Sequence, residues 1–332
     1  MAITAADVNK LRQMTGVGLM DCKNALVESD GDFDKAIDIL RKKGQKVAAK
    51  RADRASNEGR AIAKTNADKT FAAVVVVSCE TDFVAKNAEF VAFTDNLLDA
   101  AMKNGIETRE DLLKMVIDGT TVEEHISLLT GKTGEKVELP AYNVIKGDCV
   151  AAYNHMGNKL AVIASFNMKG EKVEEAAHGV AMQIAAMNPM AVDASCISQE
   201  TKDHELAIAK EKTKDELIQK AVEVALKKAN INPNLVDSDD HIASNITKGW
   251  LTEEEAAKAR EIKVTAAEEK AKTLQDAMIN NIAQGRLNKF LKENTLMDQD
   301  FIDDNKMSVK DYLNSVEKGL ACTGFFRQQL GA

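Results

Sequence analysis

The side chains of this chain that could do chemistry gather in one run, Ser78-Cys79-Glu80-Thr81-Asp82-Phe83-Val84-Ala85-Lys86-Asn87, which holds a thiol, two carboxylates, two hydroxyls and an aromatic ring. Before it stands Phe71-Ala72-Ala73-Val74-Val75-Val76-Val77, whose β-branched residues read as a buried strand that runs out to the surface at the polar cluster. After it, Phe83, Phe90, Val91, Leu97, Leu98 and Met102 recur at helical spacings. Asp82 and Phe83 therefore lie where a strand hands over to a helix extending to about Lys103. Two readings of the pair are open. In one, Asp82 is the N-cap, its carboxylate accepting the free N–H groups of the first turn, and Phe83 folds back onto the core. In the other, carboxylate and ring are displayed as a contact site. Nucleophilic catalysis would need an oriented base beside Cys79, and His155 is the base in principle available. Neither stands in a nucleophile motif, and a cysteine ending an apolar strand reads as a buried, inert thiol. The other carboxylates are scattered over amphipathic helices, as surface charges are. These residues favour a binding protein that alters another protein's affinity, with no catalytic residues of its own; a small hydrolase built on Cys79 is the rival.

Composition narrows the classes further. At 332 residues the chain exceeds one small core, so two or three domains are expected. No apolar run approaches the roughly 18 residues that cross a bilayer, and Met1-Ala2-Ile3-Thr4 lacks the basic start of a signal peptide, which points to a cytoplasmic protein. Cys22, Cys79, Cys149, Cys196 and Cys322 are widely spaced without a CxxC pair, so free thiols and no zinc site are expected. The net charge of -8 repels polyphosphate backbones and favours a protein partner over a nucleic acid. The exception is local: Arg41, Lys42, Lys43, Lys46, Lys50, Arg51 and Arg54 face one acid, Asp53, but no aromatic residue is interleaved for base stacking, and a solvated linker is the plainer reading.

Two motifs far apart in the chain point the same way. Glu80-Thr81-Asp82-Phe83-Val84-Ala85-Lys86-Asn87 resembles the Thr-Asp-Phe-Val signature of the bacterial translation elongation factor Ts family, and Leu11-Arg12-Gln13-Met14-Thr15-Gly16-Val17-Gly18-Leu19-Met20-Asp21-Cys22-Lys23-Asn24-Ala25-Leu26 is similar to that family's N-terminal signature. The resemblance, which covers nearly the whole chain, implies a guanine-nucleotide exchange factor for elongation factor Tu. It implies that Thr81, Asp82, Phe83 and Val84 enter the partner and help dislodge the Mg²⁺ that holds its nucleotide. It also implies contacts from Leu19, Met20 and His155, binding to both the GDP-bound and the nucleotide-free partner, and no cofactor, metal, nucleic acid or membrane of this chain's own. It leaves room for a pair of such heterodimers.

The elements that must position these residues are those of an α+β protein. Residues 1–45 read as three short helices, much like a ubiquitin-associated (UBA-like) module: Thr4 and Asp7 form a capping pattern, Gly16 and Gly18 break the chain, and the third helix stops by Lys43-Gly44. A basic linker, 46–57, follows. The first core part, 58–135, opens with a hairpin, Glu58 to Lys64 and Thr70 to Val77 around Asn66-Ala67-Asp68-Lys69. Further capping patterns stand at Thr108/Asp111 and Thr121/Glu124; Gly131-Lys132-Thr133 lacks the spacing of a phosphate loop. The second core part, 136–199 with 284–332, begins as an antiparallel meander of Lys136–Lys146, Cys149–His155 and Lys159–Asn167, continues in a helix from Glu171 to Met187, and closes with a strand around Leu320–Arg327. Between its halves lies an inserted antiparallel helical coiled-coil arm, 200–283, with Val264, Ala267, Ala271, Leu274 and Met278 as one seam and Ile218, Val222, Ala225 and Ala229 as the matching stripe.

Overall fold

The computed structural model describes residues 3–331. Its elements divide into two units, one formed by the chain up to Val192 together with the chain from Leu296 on, the other by Asp193–Thr295.

The first unit begins with α1 (Ala5–Thr15), α2 (Leu19–Glu28) and α3 (Phe33–Lys50). Thr4 and Asp7 cap α1 reciprocally, and Gly16, at φ 66°, ends it in the left-handed conformation that glycine adopts without penalty. Val8, Leu11, Val17, Cys22, Ala25, Leu26, Ala36 and Leu40 are buried together. The expected stop at Lys43-Gly44 is absent: α3 continues to Lys50. Gly44 is there for packing. A Cβ on it would lie 1.9 Å from the carbonyl oxygen of Ser127, and its backbone abuts Gly131. Both residues belong to the α3 and α7 pair, α7 being defined below.

β1 (Glu58–Thr65) and β2 (Phe71–Cys79) form the expected hairpin, Arg60 opposite Val77 and Lys64 opposite Ala73. The chain then makes α4 (Asp82–Ala85), α5 (Ala88–Lys103), α6 (Arg109–Lys114), the short pair β3 (Val116–Ile117) and β4 (Thr120–Thr121), and α7 (Val122–Thr133). The next strand, β5 (Glu138–Lys146), departs from the expected meander. It pairs antiparallel with β2, Val75 opposite Tyr142, so the first sheet runs β1-β2-β5. A strand buried along almost its whole length needs partners on both edges, and β2 is buried from Ala72 to Cys79. The Gly147-Asp148 break, which reads as a hairpin turn, is a corner between sheets: Gly147 N–H donates to the Thr70 carbonyl and Val150 N–H to the Lys69 carbonyl. β6 (Cys149–Asn154) and β7 (Leu160–Phe166) do pair as expected, Ala151 opposite Ala164.

After α8 (Glu171–Met187) the chain enters the second unit and re-enters the first beside its point of exit, with Leu296 N–H donating to Ala191 O and Met297 N–H to Val192 O, both at 2.9 Å. β8 (Asp300–Phe301), β9 (Asp304–Ser308), α13 (Val309–Val316) and β10 (Cys322–Gln329) complete the fold; β10 joins β7, as expected of the last strand, giving the order β10-β7-β6. Between the two sheets lie alanines and β-branched residues, Ala61, Ala63, Ala72, Val74, Val76, Val150, Ala161 and Ile163. The outer face of the first sheet is covered by Phe90, Leu97, Leu98 and Leu112 of α5 and α6, and that of the second by Val173, Val180 and Ile184 of α8 and by Leu313 of α13.

In the second unit, α11 (Glu253–Thr273) and α12 (Asp276–Asn294) both pack along α9 (Gln199–Lys228), while α10 (Asp239–Thr247) closes the far turn. The expected stripe on α9 holds, with Val222 buried beside Leu226, but the expected opposing seam does not. Of that seam Ala267 does face the apolar cluster, beside Ala256, Ala259, Ile262 and Ala266, but Val264, Ala271 and Met278 are exposed. Leu274, at φ -66° and ψ 126°, interrupts the helix, so no single seam runs through it. The unit is also wider than residues 200–283, because α12 reaches Asn294. Among the described residues no helix is long and apolar enough to cross a membrane.

Candidate partner-binding site

The strand β2 delivers Cys79 into the core and Glu80 to its edge, and the helix expected to run unbroken from Asp82 to Lys103 is two helices. Asn87, extended at φ -62° and ψ 131°, separates them and caps α5 by accepting from Glu89 N–H at 2.9 Å. The N-cap of the short α4 is Thr81, not Asp82: Thr81 Oγ1 accepts from Val84 N–H at 3.4 Å. In one helical turn only one side can face the core. Ala85 and Val84 take it, and Phe83 is left 84% exposed. The ring is thus displayed and the folded-back reading is excluded. Asp82 accepts a hydrogen bond from Lys86 Nζ at 2.7 Å, which holds its carboxyl below the ordinary range.

Beneath this exposed turn lies a set of charged side chains that fix it. Glu80, its side chain 8% exposed, accepts from Arg51 Nη1 at 2.6 Å and from Lys136 N–H at 2.7 Å. Glu135 takes both donors of the cap residue, Thr81 Oγ1–H at 2.7 Å and Thr81 N–H at 3.1 Å. Cys79 donates its thiol proton to Thr81 O at 3.2 Å, and burial pushes its pKa up to about 12, so it is a structural donor rather than a nucleophile. Glu135 and Arg51 carry no local sequence signal for this role. Glu135 is 54 residues from Thr81, and Arg51 lay within a segment read as a solvated linker.

The other expected contact residues are also at the surface. Leu19 is 46% and Met20 62% exposed at the start of α2, joined by exposed Met14 across the Gly16–Gly18 turn. That turn adjoins the first turn of α5: the Glu89 carboxylate lies against Gly16 and pairs with Lys132. His155 is exposed and precedes the turn at 156–158; its Nδ1 lies 3.1 Å from Tyr153 Oη. A cleft of about 430 Å³ places that hairpin beside α4, with Asp82, Ala85 and Lys86 on one wall and Gly157 and Lys159 on the other. Three of the seven basic side chains in the basic segment are engaged within the protein, while Lys42, Lys46, Lys50 and Arg54 are exposed. Arg41 pairs with Asp38 and Glu124, Lys43 with Asp21 and Arg51 with Glu80. Gly131-Lys132-Thr133 lies within the last turns of α7, not in a phosphate loop. Among the described residues no group of His, Cys, Asp and Glu is arranged to hold a metal ion.

Fold and site together define an α+β protein, with small antiparallel sheets flanked by helices, that displays Phe83 on a helical turn hydrogen-bonded from below. The family model described as elongation factor TS matches residues 80–237 and 215–332. Over 333 residues, and the full length of both chains, the sequence is 51% identical to a Bacteroides fragilis protein and 50% identical to a Phocaeicola vulgatus protein, each named elongation factor Ts. A Flavobacterium psychrophilum protein of the same name is 41% identical over 329 residues, 99% of each chain. The chain belongs to the elongation factor Ts family, and with it to the machinery of translation elongation.

Proposed function

We propose that this chain is a guanine-nucleotide exchange factor for elongation factor Tu, acting by insertion of the Thr81-Asp82-Phe83-Val84 turn into its partner. The observation that carries the reading is Phe83, an aromatic ring 84% exposed on a helical turn whose cap is hydrogen-bonded from below. A GTPase holds its diphosphate through backbone N–H groups, a lysine and Mg²⁺, so shifting the support of that metal weakens the nucleotide sharply. Burying a phenylalanine ring in a partner's cleft supplies roughly 1.5–3 kcal/mol, enough to hold open a cleft that would otherwise close on the ion. Asp82 adds a charge beside the ring. Its bond to Lys86 keeps it ionised and oriented until the partner offers a competing group.

Linkage sets the scale of the remaining interface. Whatever factor this chain takes from the affinity for GDP, GDP takes from the affinity for this chain, so the ternary state is populated only if contacts are broad. Leu19 and Met20 of a UBA-like N-terminal module and the His155 hairpin supply that breadth, in the GDP-bound and nucleotide-free complexes alike. The Asp193–Thr295 unit is a helical, coiled-coil-like insertion outside this contact set, available to pair two heterodimers. The proposed setting is the cytoplasm.

The test is direct. Elongation factor Tu loaded with a fluorescent GDP is mixed with this chain and excess unlabelled GDP. Release accelerated by the native chain and much less by Phe83→Ala is the expected result. Release unchanged by the native chain would overturn the proposal.

A further inference from the structure

Three residues that no sequence motif marks converge under the displayed turn, and they stand just past the ends of two helices. α3 ends at Lys50, so that Arg51, its C-cap residue, reaches Glu80; α7 ends at Thr133, so that Glu135 and Lys136 reach Thr81 and Glu80. The two helices are locked side by side where Gly44 and Gly131 meet, at a separation no side chain would permit. α3 belongs to the helical cluster that carries Leu19 and Met20, and Leu128 of α7 is buried in that same cluster. Two packed helices thus bring their C-terminal ends to the two residues that precede Asp82 and Phe83.

We infer that Glu135 and Arg51 are positioning residues for nucleotide exchange: as the ends of the α3 and α7 bracket they set the angle of the Phe83 turn and tie it to the N-terminal helices. This inference rests on the exchange reading above and adds to it a mechanical part. Glu135 works through two acceptor oxygens on one residue, fixing both the backbone and the side chain of Thr81, so the first turn of α4 cannot rotate without breaking both bonds. Arg51 neutralises a Glu80 carboxylate that is almost wholly buried and would otherwise be driven to reorient toward water. A wedge held in this way loses little conformational freedom on entering its partner, and what it retains goes into displacing the partner's groups.

The test uses the full-length chain and reads four quantities: fluorescent-GDP release from elongation factor Tu as a function of factor concentration, thermal unfolding, amide hydrogen exchange at Thr81–Val84, and the response of release to Phe83→Ala as a reference. Glu135→Ala is expected to lower the release rate at saturation about tenfold, with the half-saturating concentration changed less than about twofold, because the wedge is misaimed while the rest of the interface is kept. Glu135→Gln, which retains one acceptor and gains a donor, should recover most of that rate. Exchange at Thr81 and its neighbours should speed up in Glu135→Ala, with global unfolding close to that of the native chain. Arg51→Lys should behave as a mild form of Arg51→Met. The inference is overturned if Glu135→Ala releases GDP at the native rate while Phe83→Ala does not, or if Glu135→Gln is as slow as Glu135→Ala. It is overturned equally if Glu135→Ala leaves the Thr81 amide as protected as before, a result that can be read whether or not the native chain releases GDP. Failure of the native chain itself would instead overturn the exchange reading.

Discussion

Phe83 separates stability from function more cleanly than any other side chain here. Since it is almost wholly solvent-exposed, Phe83→Ala should change folding stability by no more than about 0.5 kcal/mol, while lowering the GDP-release rate at least about tenfold. Thermal unfolding and the release assay check the two halves. Loss of folding would mean that the ring has a packing role the structure does not give it. The cysteines make a second residue-scale contrast. Cys79 is buried, donates to Thr81 O and holds its proton up to about pH 12, whereas Cys196 is exposed. Iodoacetamide applied to the native chain near neutral pH should label Cys196 and spare Cys79, as peptide mass spectrometry would show. Labelling of Cys79 with loss of activity would revive a thiol-based mechanism.

At the scale of elements the decisive contact is between two backbones. Gly44→Ala forces a Cβ to within 1.9 Å of Ser127 O, so α3 and α7 must separate. We expect a loss of about 2–4 kcal/mol in denaturant unfolding, in the range of severe core overpacking. Gly134→Ala meets no neighbour within 4 Å and carries only the strain of its φ of 69°, so about 1–2 kcal/mol is expected. Equal effects at the two glycines would show that helix contact is not what Gly44 provides. The same contact explains a misreading. A glycine after a lysine, following a run of apolar positions at helical spacing, has the form of a helix stop, and nothing within α3 reveals the second helix that requires it to be small.

For the molecule as a whole, the hydrogen bonds joining Ala191 to Leu296 and Val192 to Met297 bring the two ends of the second unit together. Replacing Asp193–Thr295 by about five flexible residues should therefore leave a cooperatively folding remainder that still carries Phe83, Leu19 and His155. Circular dichroism and thermal unfolding check the folding, and retained GDP release would locate exchange in that remainder. Alkaline pH should act on the two outer cores. Burial raises Cys79 and Cys322 from 9.0 to about 12 and Tyr142 from 10.0 to about 12. Between those values the unfolded chain has released protons that the folded chain retains, so rising pH favours unfolding. Stability should be intact below about pH 9 and fall steadily toward pH 12 in isothermal denaturation.

Short-range physics was sufficient for much of this. The capping pairs at Thr4/Asp7 and Thr121/Glu124, the β1–β2 hairpin, α8 and the final strand lie where nearest-neighbour patterns place them, because caps, turns and amphipathic stripes are set by residues a few positions apart. The Thr81–Val84 run and the Leu19-Met20 pair were legible as candidates as well, since each is contiguous; the structure exposes Phe83, Leu19 and Met20 and half-buries Thr81, Asp82 and Val84. The sequence by itself thus determined the class of fold and most of its elements, and it singled out Leu19, Met20 and Phe83, which the fold leaves exposed. Tertiary structure alone decided which sheet β5 joins, where α3 ends, which face of α11 packs, and what holds Phe83 in place. Each of these depends on groups brought together from distant parts of the chain: an edge of β2 needing a strand, two glycine backbones meeting, a carboxylate 54 residues away accepting both donors of Thr81. Such pairings are chosen by the need to satisfy buried polar groups and fill space between elements, and that need exists only once the elements have met.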